Sequence, residues 1–132
     1  MRVLQERVEA RRRNFAIYQQ GLSHLPGLEF MPEANYGIHT RWLTCFTIDS
    51  KLANLDQETV RLHLAANNIE SRPVWKPLHL QPVFAGCETI GGEVAEDLFH
   101  RGLCLLKKIS LIHSQTRIER NLSLFCKFPT QV

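Results

Sequence analysis

The spacing of apolar residues predicts an amphipathic helix at the start of the chain. Within residues 2–22 the large apolar side chains recur every three, four or seven positions, which places them on one stripe of a helix. These residues are Leu4, Val8, Phe15, Tyr18 and Leu22. The run Arg11-Arg12-Arg13 lies in the middle of this helix. Its simplest interpretation is a solvated face, because no interleaved aromatic residues or nucleic-acid motif accompany it.

The next segments alternate between strand and helix patterns. The stretch LPGLEF (25–30) predicts a turn and a short strand. RWLTCFTIDS (41–50) is rich in aromatic and β-branched residues, which predicts a central strand buried on both sides. Asp56 is a good N-cap for a second helix over QETVRLHLAANN. IESRPVW (69–75) is expected to return as a strand until Pro73 ends its ladder.

A proline-rich segment and a third helix complete the pattern. The segment SRPVWKPLHLQPVF (71–84) contains three prolines, so it can be neither a helix interior nor a central strand. The third helix is expected between Gly92 and Gly102, because acidic residues near its start and basic residues near its end complement the helix dipole. The element order predicts an α/β (α+β) domain, in which helices cover one side of a small sheet of mixed or antiparallel strands.

Composition narrows the class of protein. The chain has 132 residues, 44% hydrophobic and 22% charged, which is typical of one globular domain. A net charge of +3 gives little reason to expect nucleic acid as a partner. No apolar run is long enough for a membrane span, and the N-terminus does not resemble a secretory signal.

The cysteines are widely spaced and include no C-x-x-C pair. They predict reduced thiols in a cytoplasmic protein rather than a disulfide framework. His100 and Cys104 are four residues apart but lie on either side of Gly102, where the third helix is expected to end, so no metal site is predicted.

Four segments of the chain resemble parts of one family. ESRPVWKPLHLQPVF, followed by GGEVAEDLFHRGLCL, resembles the C-terminal small domain of the DegT-type pyridoxal-phosphate-dependent nucleotide-sugar aminotransferases. The nearest members are the enzymes that aminate UDP-linked 4-keto-6-deoxy sugars. RVLQERVEARRRNFAIYQQGL resembles the helix that leaves the family's large domain. PGLEFMPEANYGIHTRWLTCFTID resembles a strand-loop-strand that carries an Asn/Thr-Arg-Trp step.

The resemblance covers residues 1–105 and implies the small-domain fold of fold-type I aminotransferases. Residues 106–132 depart from the family and are predicted to be an atypical tail. The tail is either frame-shifted or truly divergent, and RIER (117–120) in it faintly resembles part of the family's last helix.

In this family the cofactor lysine and the phosphate-binding residues belong to the large domain, which the resemblance implies is missing here, with Met1 an internal start. Lys76 is the only lysine in a suggestive motif, but no Gly/Ser/Thr-rich anion loop precedes a helix. We therefore expect no catalytic residue, no bound pyridoxal phosphate and no transaminase activity in this chain alone.

Three residues of the proline-rich segment are candidates for substrate binding. Arg72 would contact an anion or a sugar, or else form a surface pair with Glu70. Trp75 would either pack the segment against the domain or stack on a ligand. His79 would either hydrogen-bond a substrate hydroxyl or pin the segment to backbone carbonyls.

The loop before the central strand supplies the remaining candidates. Arg41, beside Trp42, would contact a sugar nucleotide across a cleft or form a salt bridge with the acidic side of the third helix. His39 and Tyr36 are weaker candidates in the same loop.

The reaction implied by the resemblance moves an amino group from glutamate to a 4-keto-6-deoxy nucleotide sugar for glycan biosynthesis. Two other functions stay open. The chain is alternatively a non-enzymatic interaction or homodimerisation module, or half of a split enzyme completed by a separately encoded large domain.

Overall fold

The computed structural model describes residues 3–105, and the predicted tail lies outside them. The elements in chain order are α1 (Leu4–Leu22), β1 (Leu28–Phe30), β2 (Thr44–Ile48), α2 (Ser50–Ala53), α3 (Gln57–Ala66), β3 (Ser71–Pro73), α4 (Glu93–Arg101) and β4 (Gly102–Leu105). Single turns of 3-10 helix at Leu78–Leu80 and Pro82–Phe84 interrupt the proline-rich segment. No helix among the described residues is both long enough and apolar enough to cross a membrane.

The four strands form one antiparallel sheet in the order β1-β2-β4-β3. Each neighbouring pair is antiparallel, so β2 and β3 run in the same direction with β4 between them. The prediction of an α+β domain is confirmed, and the sheet is antiparallel rather than mixed in its pairing.

The core lies on one face of the sheet, under α1 and α3. Successive side chains of a strand point to opposite faces, so Phe46 and Ile48 of β2 lie on the same face as Leu103 and Leu105 of β4. The buried cluster on this covered face comprises Tyr18, Leu22, Phe46, Ile48, Val60, Leu64, Ile69, Leu103 and Leu105. The covered face therefore holds the hydrophobic core of the described residues.

The opposite face, here called the open face, is only partly covered, by α4. Cys45 and Thr47 of β2 point to this face and are half-buried, whereas Thr44, Phe46 and Ile48 are buried. The prediction that this strand is buried on both sides was therefore wrong for one side. The helices also lie on both faces, because α4 packs on the side opposite α1 and α3.

The capping prediction for the second helix is confirmed. The Asp56 carboxylate accepts a hydrogen bond of 2.7 Å from the backbone N–H of Thr59 in the first turn of α3. Asp49 caps α2 in the same way, by accepting from the N–H of Lys51 at 2.9 Å. The sequence pattern places Asp49 at the end of a strand and gives no indication of α2.

The third helix was predicted with the right bounds, but the strand after it was not predicted. α4 passes into β4 with no intervening loop, at Gly102. A Cβ atom at Gly102 would collide with the carbonyl oxygen of Leu98 and with the side chain of Val74. Only glycine fits where the helix, β4 and the residue after β3 come this close.

Candidate functional site

An ionic cluster holds the loop that joins β1 to β2. The Glu33 carboxylate accepts hydrogen bonds from Arg12 on α1 at 2.7 and 3.2 Å, from the backbone N–H of His39 at 2.9 Å and from Arg41 at 3.2 Å. The hydrogen bonds from Arg12 are the main reason that the pKa of Glu33 falls to about 2. This cluster, defined as Arg12, Glu33, His39 and Arg41, fixes the loop to the first helix.

Arg41 is the buried member of the cluster. Its side chain is 7% exposed, and its guanidinium lies 3.8 Å from the ring centroid of Phe15. The guanidinium also donates to the carbonyl oxygen of Met31 at 2.8 Å. The salt bridge that forms is with Glu33 and not with the third helix. Arg41 has positive φ (53°), a strained conformation for a non-glycine residue.

His39 accepts two hydrogen bonds from other members of the same cluster. Its ring Nδ1 accepts a 2.7 Å hydrogen bond from the backbone N–H of Arg41, and its carbonyl oxygen accepts from Arg12 at 2.6 Å. Tyr36, in contrast, is almost fully exposed at the outer end of the loop.

The loop and the proline-rich segment meet through two tryptophans. The rings of Trp42 and Trp75 lie with centroids 6.2 Å apart and planes inclined by 35°. Both remain largely exposed, at 61% and 64%. Large aromatic rings left in solvent mark a surface that can receive a ligand or a partner. We call this pair the tryptophan ledge. Trp42 was not among the predicted site residues, although its position next to Arg41 was the available signal.

His79 connects the proline-rich segment to the first turn of α4. Its Nε2 lies 2.8 Å from Glu96 Oε1, in hydrogen-bonding contact, and the side chain is 20% exposed. Gly92, the N-cap of α4, has a φ of 123°, and a Cβ there would come within 2.8 Å of the His79 ring. The histidine therefore pins the segment to a carboxylate and a glycine, and not to the backbone carbonyls that were considered from the sequence.

Arg72 lies in β3, three residues before Trp75. Its position in β3 is directly opposite Cys104 of β4, so it belongs to the open face. The guanidinium is exposed and donates to Glu70 at 3.0 Å, which is the surface pair considered from the sequence. The structure therefore joins Arg41 and His39 in the ionic cluster, and leaves Arg72 and His79 each paired with a glutamate elsewhere.

A cavity of about 330 Å³ opens between the open face and α4. It is mostly apolar, and its lining includes Cys45 and Thr47 from β2 with Leu98 and Arg101 from α4. Arg101 is held by Asp97, one turn earlier on the helix. None of the five predicted site residues lines this cavity, which depends on how α4 packs and has no signal in the sequence.

The lysines of the described residues lie in solvent. Lys51 and Lys76, the two lysines within residues 3–105, are both exposed, and neither lines the 330 Å³ cavity. An aldimine lysine needs a dry pocket that lowers its pKa. Within residues 3–105 there is also no group of three or more His, Cys, Asp or Glu side chains that could hold a metal ion.

Comparison with known proteins gives consistent matches. A model of the DegT/DnrJ/EryC1/StrS aminotransferase family matches residues 1–118, which reaches into the predicted tail. EpsN of Bacillus subtilis, whose name describes a pyridoxal phosphate-dependent aminotransferase, is 48% identical over 80% of this chain and 27% of its own length. A GDP-perosamine synthase of Escherichia coli O157:H7 is 33% identical over 80% of this chain and 28% of its own length.

The fold also matches solved structures. DesV of S. venezuelae, solved in complex with a ketimine intermediate, superposes with a TM-score of 0.78 over 98% of this chain and 34% of its own, at 24% sequence identity. This identity supports the fold alone. The chain spans between about a quarter and a third of the length of each of these proteins.

Proposed function

Because the chain belongs to the DegT/DnrJ/EryC1/StrS aminotransferase family, we propose that it is the small domain of a pyridoxal-phosphate-dependent sugar aminotransferase and forms one wall of a nucleotide-sugar site. The implied reaction transfers an amino group from glutamate to a 4-keto-6-deoxy nucleotide sugar in the cytoplasm. The observation that carries the proposal is the tryptophan ledge, because it brings Trp42 of the Arg41-Trp42 motif and Trp75 of the proline-rich segment to one exposed surface.

The ledge is suited to stack on a nucleotide base or on the apolar face of a sugar. An aromatic ring stacked on a base contributes about 1–3 kcal/mol. The prolines around Trp75 restrict the backbone of the segment, and the ionic cluster fixes Arg41, the residue next to Trp42. Both backbones are therefore held before a ligand arrives, which reduces the conformational entropy lost on binding. In this proposal Arg41 and His39 position the ledge, while Arg72 and His79 contact more distant parts of the ligand.

We further propose that this chain has no transaminase activity alone, because the lysines it offers within residues 3–105 are exposed. The cofactor would be held by a large domain that lies in a separate chain or elsewhere in a longer protein. Mixing the purified chain with pyridoxal phosphate should give no stoichiometric adduct that borohydride traps on a lysine. A stoichiometric adduct trapped on any lysine of the chain, located by peptide mapping, would contradict this part of the proposal.

Ligand binding is tested by calorimetric titration of the full chain with UDP and with a UDP-linked sugar. We expect weak, saturable binding, and Trp75→Ala should weaken it roughly tenfold, since one stacked base is worth about 1–3 kcal/mol. Val83→Ala is the matched control, because Val83 is an exposed apolar residue of the same segment. Equal binding by the two variants, or no saturable binding by the unaltered chain, would rule out the ledge as a nucleotide-sugar wall.

A second candidate function is that of an interaction or homodimerisation module. It is favoured by the large apolar side chains that are exposed between β1 and β2 and between β3 and α4. These residues are Tyr36, Ile38, Trp42, Trp75, Leu78, Val83 and Ile90. Light scattering separates the two candidates. A monomer at high concentration that binds the nucleotide sugar supports the first, and a dimer that Ile38→Asp disrupts supports the second.

A further inference from the structure

The two central strands carry a pair of opposed cysteines. Cys45 of β2 and Cys104 of β4 are direct partners in the antiparallel register. Their Sγ atoms lie 3.3 Å apart on the open face. A disulfide has an S–S length of about 2.05 Å, so the two sulfur atoms need to approach by little more than 1 Å to be joined.

The backbone at this pair has the spacing that a cross-strand disulfide needs. The N–H of Met31 donates to the carbonyl oxygen of Cys45 at 3.1 Å, so the backbone polar groups of Cys45 point toward β1 and away from β4. Cys45 and Cys104 are therefore a non-hydrogen-bonded pair, in which opposed Cα atoms lie about 4.5 Å apart. This separation falls within the range of about 4.4–6.8 Å found in disulfides.

The two thiols differ in access and in acidity. Cys45 is half-buried and lines the 330 Å³ cavity, whereas Cys104 is 1% exposed. The hydrogen bond with Cys104, assisted by the charge of Arg41, lowers the pKa of Cys45, and the hydrogen bond with Cys45 and burial raise the pKa of Cys104. A small oxidant entering the cavity would therefore meet the more nucleophilic thiol first.

We propose that Cys45 and Cys104 form a redox-sensitive pair that a peroxide closes into a reversible disulfide between β2 and β4. In the first step the sulfur of Cys45 attacks hydrogen peroxide, the O–O bond breaks, a sulfenic acid forms and one water leaves. In the second step the sulfur of Cys104 attacks the sulfenic sulfur, the S–O bond breaks and the S–S bond forms. The thiol proton leaves with the displaced hydroxide as a second water, and the two thiols have given two electrons to the peroxide.

This pair differs from the other cysteines of the chain. Cys87 is exposed, three residues after the proline-rich segment, and has no cysteine partner among residues 3–105. Cys126 lies outside the described residues. A pair that merely fills space between two strands would not react in preference to an exposed thiol. Selective linkage of Cys45 to Cys104 is therefore the signature of the proposal.

The test treats the reduced full chain with one equivalent of hydrogen peroxide, blocks free thiols and measures the intact mass and the peptide map. We expect a monomer that is lighter by about 2 Da before blocking, with the peptides of Cys45 and Cys104 joined, and full reversal by dithiothreitol. Cys87→Ser and Cys126→Ser should keep this linkage. Cys45→Ser should lose it.

The unaltered chain is decisive even if the buried Cys104→Ser variant fails to fold. A linkage through Cys87 or Cys126, a disulfide between two chains, or oxidation of Cys45 to sulfinic acid without linkage would each overturn the proposal. Persistence of the 2 Da loss in Cys45→Ser would overturn it as well, because another pair would then be responsible.

Discussion

The two faces of the sheet belong to the same strands but are covered to different extents by helices. On the covered face, α1 and α3 bury an unbroken apolar cluster that runs from Tyr18 to Leu105. On the open face, α4 leaves a cavity, an opposed pair of thiols and an exposed arginine on β3. The difference indicates that the covered face supplies most of the folding free energy, while the open face tolerates change and gives small molecules access.

The largest expected effect comes from breaking the covered face. Leu64 of α3 is fully buried in the core cluster. Leu64→Ala should lower the free energy of unfolding by about 2–5 kcal/mol, because it removes apolar contacts and leaves a cavity. Leu62→Ala, on the exposed side of the same helix, is the matched control and should change it by less than about 0.5 kcal/mol. Urea denaturation measures both, and similar losses in the two variants would contradict the assignment of the core to this face.

A smaller effect is expected at the edge of the covered face, where Arg41 lies over Phe15. Arg41→Ala removes the cation–π contact and the hydrogen bonds to Met31 and Glu33, so we expect a loss of about 1–3 kcal/mol in the free energy of unfolding. Arg13→Ala is the control, because Arg13, in the basic triplet on α1, is an exposed arginine. Equal stability of the two variants would show that the ionic cluster does not anchor the loop.

The pH dependence of stability tests the ion pairs that Glu33 forms in the ionic cluster. The pKa of Glu33 is about 2 in the folded chain, below its ordinary value of 4.5. The carboxylate therefore stabilises the fold above pH 4.5, and this contribution is lost as the pH falls from 4.5 toward 2. We expect the stability difference between the unaltered chain and Glu33→Gln to shrink over this interval in denaturation curves. A difference that stays constant with pH would mean that Glu33 is not ionically paired.

The smallest effect is expected on the open face. Arg72→Ala removes only an exposed pair with Glu70, so the free energy of unfolding should change by less than about 0.5 kcal/mol. The same variant should weaken nucleotide-sugar binding if Arg72 contacts the ligand. Destabilisation comparable to that of Leu64→Ala would show that the two faces contribute equally to the free energy of unfolding.

Local patterns in the sequence predicted most of the elements. The three longer helices and β2 followed from apolar spacing, residue type, Asp56 as a cap and Gly92 and Gly102 as boundaries. β4 was missed because GLCL is too short to show a strand period, and Gly102 indicates only where the helix ends. Its identity as a strand comes from pairing with β2, almost sixty positions earlier in the chain.

The site residues divide into those whose partners are close in sequence and those whose partners are brought close only by the fold. The pairing of Arg72 with Glu70 spans two residues and was considered from the sequence. Packing of Trp75 against the domain was also considered, but its ring is largely exposed and lies beside Trp42. The partners of Arg41 and His79 are Glu33 and Glu96, which the fold brings close and no local motif identifies. Whether the five predicted residues bind a ligand stays a prediction, and the cysteine pair was not foreseen because its members lie on different strands.

The position of β4 has a consequence for how the chain folds. β4 is the last described strand in sequence yet lies in the middle of the sheet, and it is the one described strand with which β3 pairs. β1 and β2 pair with each other over a short separation and can associate early. We expect the sheet to be completed late, by insertion of β4 between β2 and β3, because this step closes contacts between distant residues and leaves strand edges unpaired until it occurs. We therefore expect substitutions near Gly102 to slow folding and to favour aggregation, even where the contacts of the tryptophan ledge are unchanged.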